Sequence, residues 1–183
     1  MTKSSVSSLT EQTGLAGPTI RPSHRHPNLG LAPISMTAGF TAAAEKLRRD
    51  SPKIAARALE AATKADPTIK ERYDEVGLRR LLRDGEVLTE RLAMCLASDN
   101  PRWLGGFAEW SAPIFRRRGV TLLDLAALCA GIREAIAPNF GDDELASASR
   151  ALDAATVVFR RNSRIAGDRH KRNALWKWMY RGV

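Results

Sequence analysis

A chain of 183 residues with 44% apolar side chains is sized for one globular core with tails, not for several domains. No run of roughly 18 uncharged apolar residues is present, and the N-terminal MTKSSVSSLTEQTGLAGPT has no apolar stretch of the secretory kind. Those two absences exclude a helical membrane span and a cleaved leader from the reading, and predict a cytoplasmic protein.

The net charge of +9 suggests a nucleic-acid partner until it is located. Residues 1–40 hold Lys3, Arg21 and Arg25 against Glu11. Residues 41–154 hold eighteen basic and eighteen acidic side chains, and residues 155–183 hold eight basic ones against Asp168. The body is therefore balanced, and the excess sits near the C-terminus.

In chain order, residues 1–35 are rich in Ser, Thr, Pro and Gly and read as a flexible arm. His24 and His26 lie on it as an H-x-H pair, read as solvated rather than metal-binding. Residues 36–166 are predicted to be an all-α body, and the chain to hold about seven helices with the tail counted. A short Ala-rich helix is expected over 37–49. Ser51-Pro52 and Asp66-Pro67 each place a capping residue before a proline, the pattern that starts a helix. The helix after Asp66 carries Ile69, Tyr73 and Val76, with a bend expected near Gly77 or Gly85, then Leu81, Leu88, Leu92 and Leu96. Glu71, Asp74 and Glu75 read as acids complementing a helix start.

Asn100-Pro101 opens the next helix. Its Trp103, Leu104, Phe107, Trp110, Ile114 and Phe115 recur at three- and four-residue steps, which predicts a wide core stripe. Gly105-Gly106 interrupts it, and close approach of a neighbouring helix, a bend or a ligand would each account for that. Arg116, Arg117 and Arg118 suit the negative end of that helix, with Gly119 just past it. Thr121 and Asp124 form a near capping box for a helix with Leu122, Leu125, Cys129, Ile132 and Ile136. Asp142-Asp143 opens the last one, with Leu145, Ala148, Leu152, Ala155 and Phe159 on one face. Trp103, Phe107, Trp110, Leu125, Ile132 and Leu152 are the expected core, and Cys95 and Cys129 read as reduced core thiols.

The stretch ERYDEVGLRRLLRDGEVLTERLAMCLASDNPRWLGGFAEWSAPIFRRRGVTLLDLAALCAGI, residues 71–132, resembles the helical, globin-like sensor module at the N-terminus of stressosome-type regulators. It is also similar to the helical segments attached to bacterial cobalamin-binding regulators. The features that carry the resemblance are ERY, the LLRDGEVLTERLAMCLAS helix, the DNP break, WLGGFAEW and RRRGVTLLDL. They are packing residues rather than chemical ones. The resemblance implies a globin-like multi-helix bundle with a signal-sensing or partner-binding role, usually as dimers. Two departures stand beside it. Such modules usually come joined to an output or ligand domain, for which this chain is expected to have no room. Some relatives also carry histidines in the helix matching 84–96, where this chain has Val87, Leu88, Thr89 and Glu90.

No catalytic, cofactor-binding or metal-ligating set emerges. The three histidines, His24, His26 and His170, lie outside the body, so a haem or cobalamin ligand of that type is not expected within it. No phosphate-binding glycine loop, dinucleotide fingerprint or C-x-x-C pair is present. The reading is a non-enzymatic regulatory or adaptor module, its partner another protein or a second copy. A tetrapyrrole-binding sensor and a nucleic-acid-binding regulator are the alternatives.

Residues 167–183 form a basic aromatic tail, and its Arg169, Lys171, Arg172, Leu175, Trp176, Lys177, Trp178, Met179, Tyr180 and Arg181 are the candidate interaction residues. As a helix it would dock on its own body, fill a groove of a partner protein, or meet an anionic membrane surface or nucleic acid.

Overall fold

The computed structural model describes residues 39–165. These form six α-helices: α1 (Thr41–Ala65), α2 (Thr68–Arg72), α3 (Glu75–Ser98), α4 (Arg102–Arg117), α5 (Leu122–Ile136) and α6 (Asp142–Ile165). A 3-10 turn, Ala137–Asn139, joins α5 to α6. The all-α expectation holds for the described residues, which contain no strand. The arm, 1–35, and the tail, 167–183, lie outside them.

Most helix ends are where local chemistry puts them. The Asp74 carboxylate accepts from Gly77 N–H at 2.7 Å and starts α3. Asn100 Oδ1 accepts from Arg102 N–H, and Thr121 Oγ1 from Asp124 N–H, at the starts of α4 and α5. Gly119 takes φ of 81° just beyond α4, a left-handed conformation that glycine adopts without a Cβ penalty.

One expected boundary is absent. Ser51-Pro52 does not begin a helix but lies inside α1, which runs unbroken past it. Proline at this point removes one ladder hydrogen bond. Tertiary contacts hold the helix through the defect: Leu47, Ile54 and Ala55 are buried on either side, and Ser51 Oγ donates to Glu86 O of α3 at 3.2 Å. The break expected at a glycine of α3 falls instead at Tyr73-Asp74, between α2 and α3.

α5 is the central element. It packs against α1 and α6 and touches α3, and it buries residues around its circumference, from Leu122 to Ile136. Helices apolar all round belong in the interior. α1 approaches it closely: a Cβ on Gly131 would lie 2.4 Å from Ala58 O. α1 also packs along α3. At the start of α1, Phe40 N–H donates to Leu96 O at 2.8 Å, tying that end to the last turn of α3.

α4 and α6 run side by side in the same direction. Asp99, just before α4, accepts from Ser147 Oγ at 2.7 Å and pairs with Arg150; Gly105 meets Ala154; Glu109 meets Arg161. Asp99 takes φ of 44°, a left-handed turn that lets the chain reverse out of α3.

Candidate functional site

α4 has two apolar faces, one buried and one left partly open. Leu104, Ala108, Ala112 and Phe115 are buried. Trp103, Phe107, Trp110 and Ile114, at steps of four, three and four, form a second stripe beside them. Trp103 is 43% exposed and Trp110 68% exposed. The expectation that both tryptophans are core is therefore wrong, and Phe107 is only partly buried. The physical reason is width. An apolar arc this broad cannot all face one core, and the space behind α4 is closed by small residues: a Cβ on Gly105 would stand 3.3 Å from Ala154 Cβ. Helices that close leave no room for an indole between them.

The exposed stripe is wired to the core by rings. Trp110 and Phe107 have centroids 6.2 Å apart, tilted 41°. Phe107 meets Phe115 edge-on at 6.5 Å, and Phe115 meets the fully buried Phe159 edge-on at 6.4 Å. From α3, the Arg91 guanidinium lies 5.3 Å over the Phe107 ring, a cation–π contact. Trp110 is thus tied to the core through Phe107 and Phe115.

Gly106 lies between the two tryptophans. A Cβ added there would meet nothing within 4 Å. A helix-interior glycine costs about 1 kcal/mol relative to alanine. The close-approach explanation from sequence applies to Gly105 and fails for Gly106, which no neighbour within the described residues requires.

Two carboxylates, Asp84 and Asp124, are buried among the described residues. Asp124 of α5 receives Arg72 Nη2 at 2.5 Å, Arg72 Nε at 3.3 Å and Tyr73 Oη at 2.7 Å. The Tyr73 hydroxyl in turn accepts from Thr121 N–H at 3.0 Å, the donor that a capping-box acid would serve. Burial, then the neighbouring Asp124 charge, raises the Tyr73 phenol above its ordinary range. This cluster is a structural clamp between α2 and α5. Asp84 of α3 is buried, with Oδ1 accepting from Arg118 Nη1 at 3.0 Å and Oδ2 without a hydrogen-bond partner. Desolvation raises its pKa, against the pull of Arg118. So Arg118 does more than complement a helix end.

A cleft of about 200 Å3 opens between α1 and the α5 corner, lined by Lys46, Asp50, Lys53, Arg57, Asn139 and Phe140 among others. Lys46 Nζ donates to Asn139 O and lies over the Phe140 ring. Cys95 and Cys129 are unpaired and buried, as the sequence suggested, and burial pushes both thiols up to about 12. Among the described residues no group of three or more His, Cys, Asp or Glu could hold a metal ion. No described helix is long and apolar enough to cross a membrane.

The candidate interaction residues of the tail, Arg169 to Arg181, and His24, His26 and His170 lie outside the described residues. Sequence reasoning missed the open face of α4, Asp84, and the burial of Asp124, which it read only as a capping acid. The acids did leave a signal: Asp84 falls between Leu81 and Leu88, and Asp124 between Leu122 and Leu125, each a charge on an apolar face. Compared with models of known protein families, and with curated proteins, the chain gives no match.

Proposed function

We propose that the chain is a non-enzymatic regulatory or adaptor module that works through protein contacts, and that α4 supplies its contact face. The observation that carries this is the exposure of Trp110 and Trp103 on an ordered helix, with Phe107 behind them. Paired indoles at a surface are an apolar liability unless a partner covers them, and tryptophan is among the strongest interface anchors. In this reading the bundle is globin-like, as the resemblance to stressosome-type sensor modules implies, and the protein is cytoplasmic. Its partner is another protein or a second copy, and the basic aromatic tail is a second contact element.

The test places a photo-crosslinking side chain at position 110 of the full chain in cells, with and without Trp103→Ser. A discrete crosslinked species, of defined mass and lost with Trp103→Ser, is the expected result. The same readout in a Trp176→Ser, Trp178→Ser variant separates the tail from α4. Diffuse labelling that Trp103→Ser leaves unchanged overturns the assignment of α4.

A further inference from the structure

The occupant of this face can be named from its own symmetry. We infer that the exposed face of α4 is the interface between two copies of this chain, with their α4 helices crossing antiparallel at Gly106. The inference rests on the contact face proposed above and adds its occupant and register.

Three observations converge. First, Gly106 has open space where a side chain would be, and it is flanked by Trp103 three residues before and Trp110 four residues after. A gap between two large knobs lets another helix backbone come close.

Second, that spacing is self-complementary. In a two-fold, antiparallel pair centred on Gly106, Trp103 of each copy falls opposite Trp110 of the other, because the two positions are nearly equidistant from the axis. A closed two-fold contact requires that kind of matching.

Third, the charges follow the same register. Arg102, four residues before Gly106, is exposed and has no carboxylate partner among the described residues. Glu109, three residues after, pairs with Arg161 but remains 45% exposed at its side chain. Arg102 and Glu109 share one flank of α4, seven residues apart. In an antiparallel pair like flanks meet, so Arg102 of each copy lies beside Glu109 of the other. A parallel pair would set Trp103 against Trp103 and bring no such charge match.

Area sets the strength. An indole buries at most roughly 250 Å2, so two half-exposed ones supply a few hundred of the roughly 800 Å2 per partner in a stable interface. The flanks, including the 64% exposed Val157 of the neighbouring α6, must add to it. The dimer is therefore a weak, concentration-dependent one.

Sedimentation velocity of the full chain, from low to high micromolar, tests this directly. The wild type should associate reversibly to a dimer. Arg102→Glu and Glu109→Arg should each weaken association at least about tenfold, since each sets like charges together twice. Mixed, the two variants should form a heterodimer near wild-type strength, because both contacts are then opposite in sign. Thermal melts check that each variant is folded, and Trp110→Glu, at an exposed position, is the further variant expected to abolish the dimer without unfolding the monomer. A wild type that stays monomeric throughout overturns the inference. So does a mixture no stronger than its components, or a dimer that only a Trp176→Ser, Trp178→Ser chain can form, which would make the tail the native occupant. If position 110 crosslinks to a different protein while the chain stays monomeric, the contact-face reading stands and the second copy falls.

Discussion

Arg72 and Asp124 form a two-pronged pair across 52 residues of sequence, with Nη2 to Oδ1 at 2.5 Å and Nε to Oδ2 at 3.3 Å. Their side chains are 10% and 2% exposed. The short α2 has little apolar surface of its own beyond Ile69, so this pair and Tyr73 hold it onto α5. Removing one member strands the other as an uncompensated buried charge. Arg72→Met should therefore cost about 3–5 kcal/mol in urea unfolding. Tyr73→Phe, which takes away one hydrogen bond to Asp124 and the acceptor of Thr121 N–H, should cost about 1–3 kcal/mol. An Arg72→Met protein as stable as wild type would mean the clamp is ornamental.

Asp84 should impose a pH dependence of the opposite sign from that of a paired surface acid. Burial raises its pKa in the folded state, and Oδ2 has no partner. The native state then binds the proton more tightly than the unfolded chain, where an aspartate titrates near about 3.9. Its contribution is most favourable below that value and is lost as pH rises through the raised folded value. Urea unfolding of wild type and Asp84→Asn across that window should show the wild type losing ground to the variant as pH rises. A difference between the two that stays constant with pH would remove Asp84 as the cause.

Two glycines offer opposite outcomes from the same substitution. At Gly131 a new Cβ would lie 2.4 Å from Ala58 O and 2.8 Å from Ala58 Cα, both backbone atoms that move only if α1 shifts. Gly131→Ala should cost about 1–3 kcal/mol, the range for overpacking. At Gly106 nothing stands in the way, so Gly106→Ala should stabilise the isolated monomer by up to about 1 kcal/mol through helix propensity. Melting temperatures at low protein concentration decide both, and equal effects at the two sites would contradict the packing described here.

The aromatic residues divide by burial, not by size. Phe159 is fully buried, and Phe159→Ala should cost about 3–5 kcal/mol. Trp110→Ala, at a largely exposed site, should change stability by less than about 1 kcal/mol, its effect appearing in association. A large loss of stability from Trp110→Ala in dilute solution would return that residue to the core.

What the amino-acid order determined by itself is local. Period and caps mark the all-α class and most helix ends, because Asp74, Asn100 and Thr121 bond to amides two or three residues away and Gly119 needs only its own backbone. The faces of α5 and α6 were legible for the same reason: Leu125, Ile132 and Leu152 repeat at helical spacing and are buried. What the tertiary structure decided is everything that depends on a neighbour. α1 runs through Pro52 because α3 and the core hold both sides of it, a contact 35 residues away that no local rule contains. Trp103 and Trp110 face outward because α6 closes on the small side of α4 at Gly105, and periodicity cannot say which part of a broad apolar arc a partner helix will cover. Asp84 and Asp124 look like misplaced charges until Arg118 and Arg72 arrive from distant elements to meet them. Helix formation reads bonds within a few residues, whereas burial is a property of pairs of surfaces, and that is where sequence alone stopped.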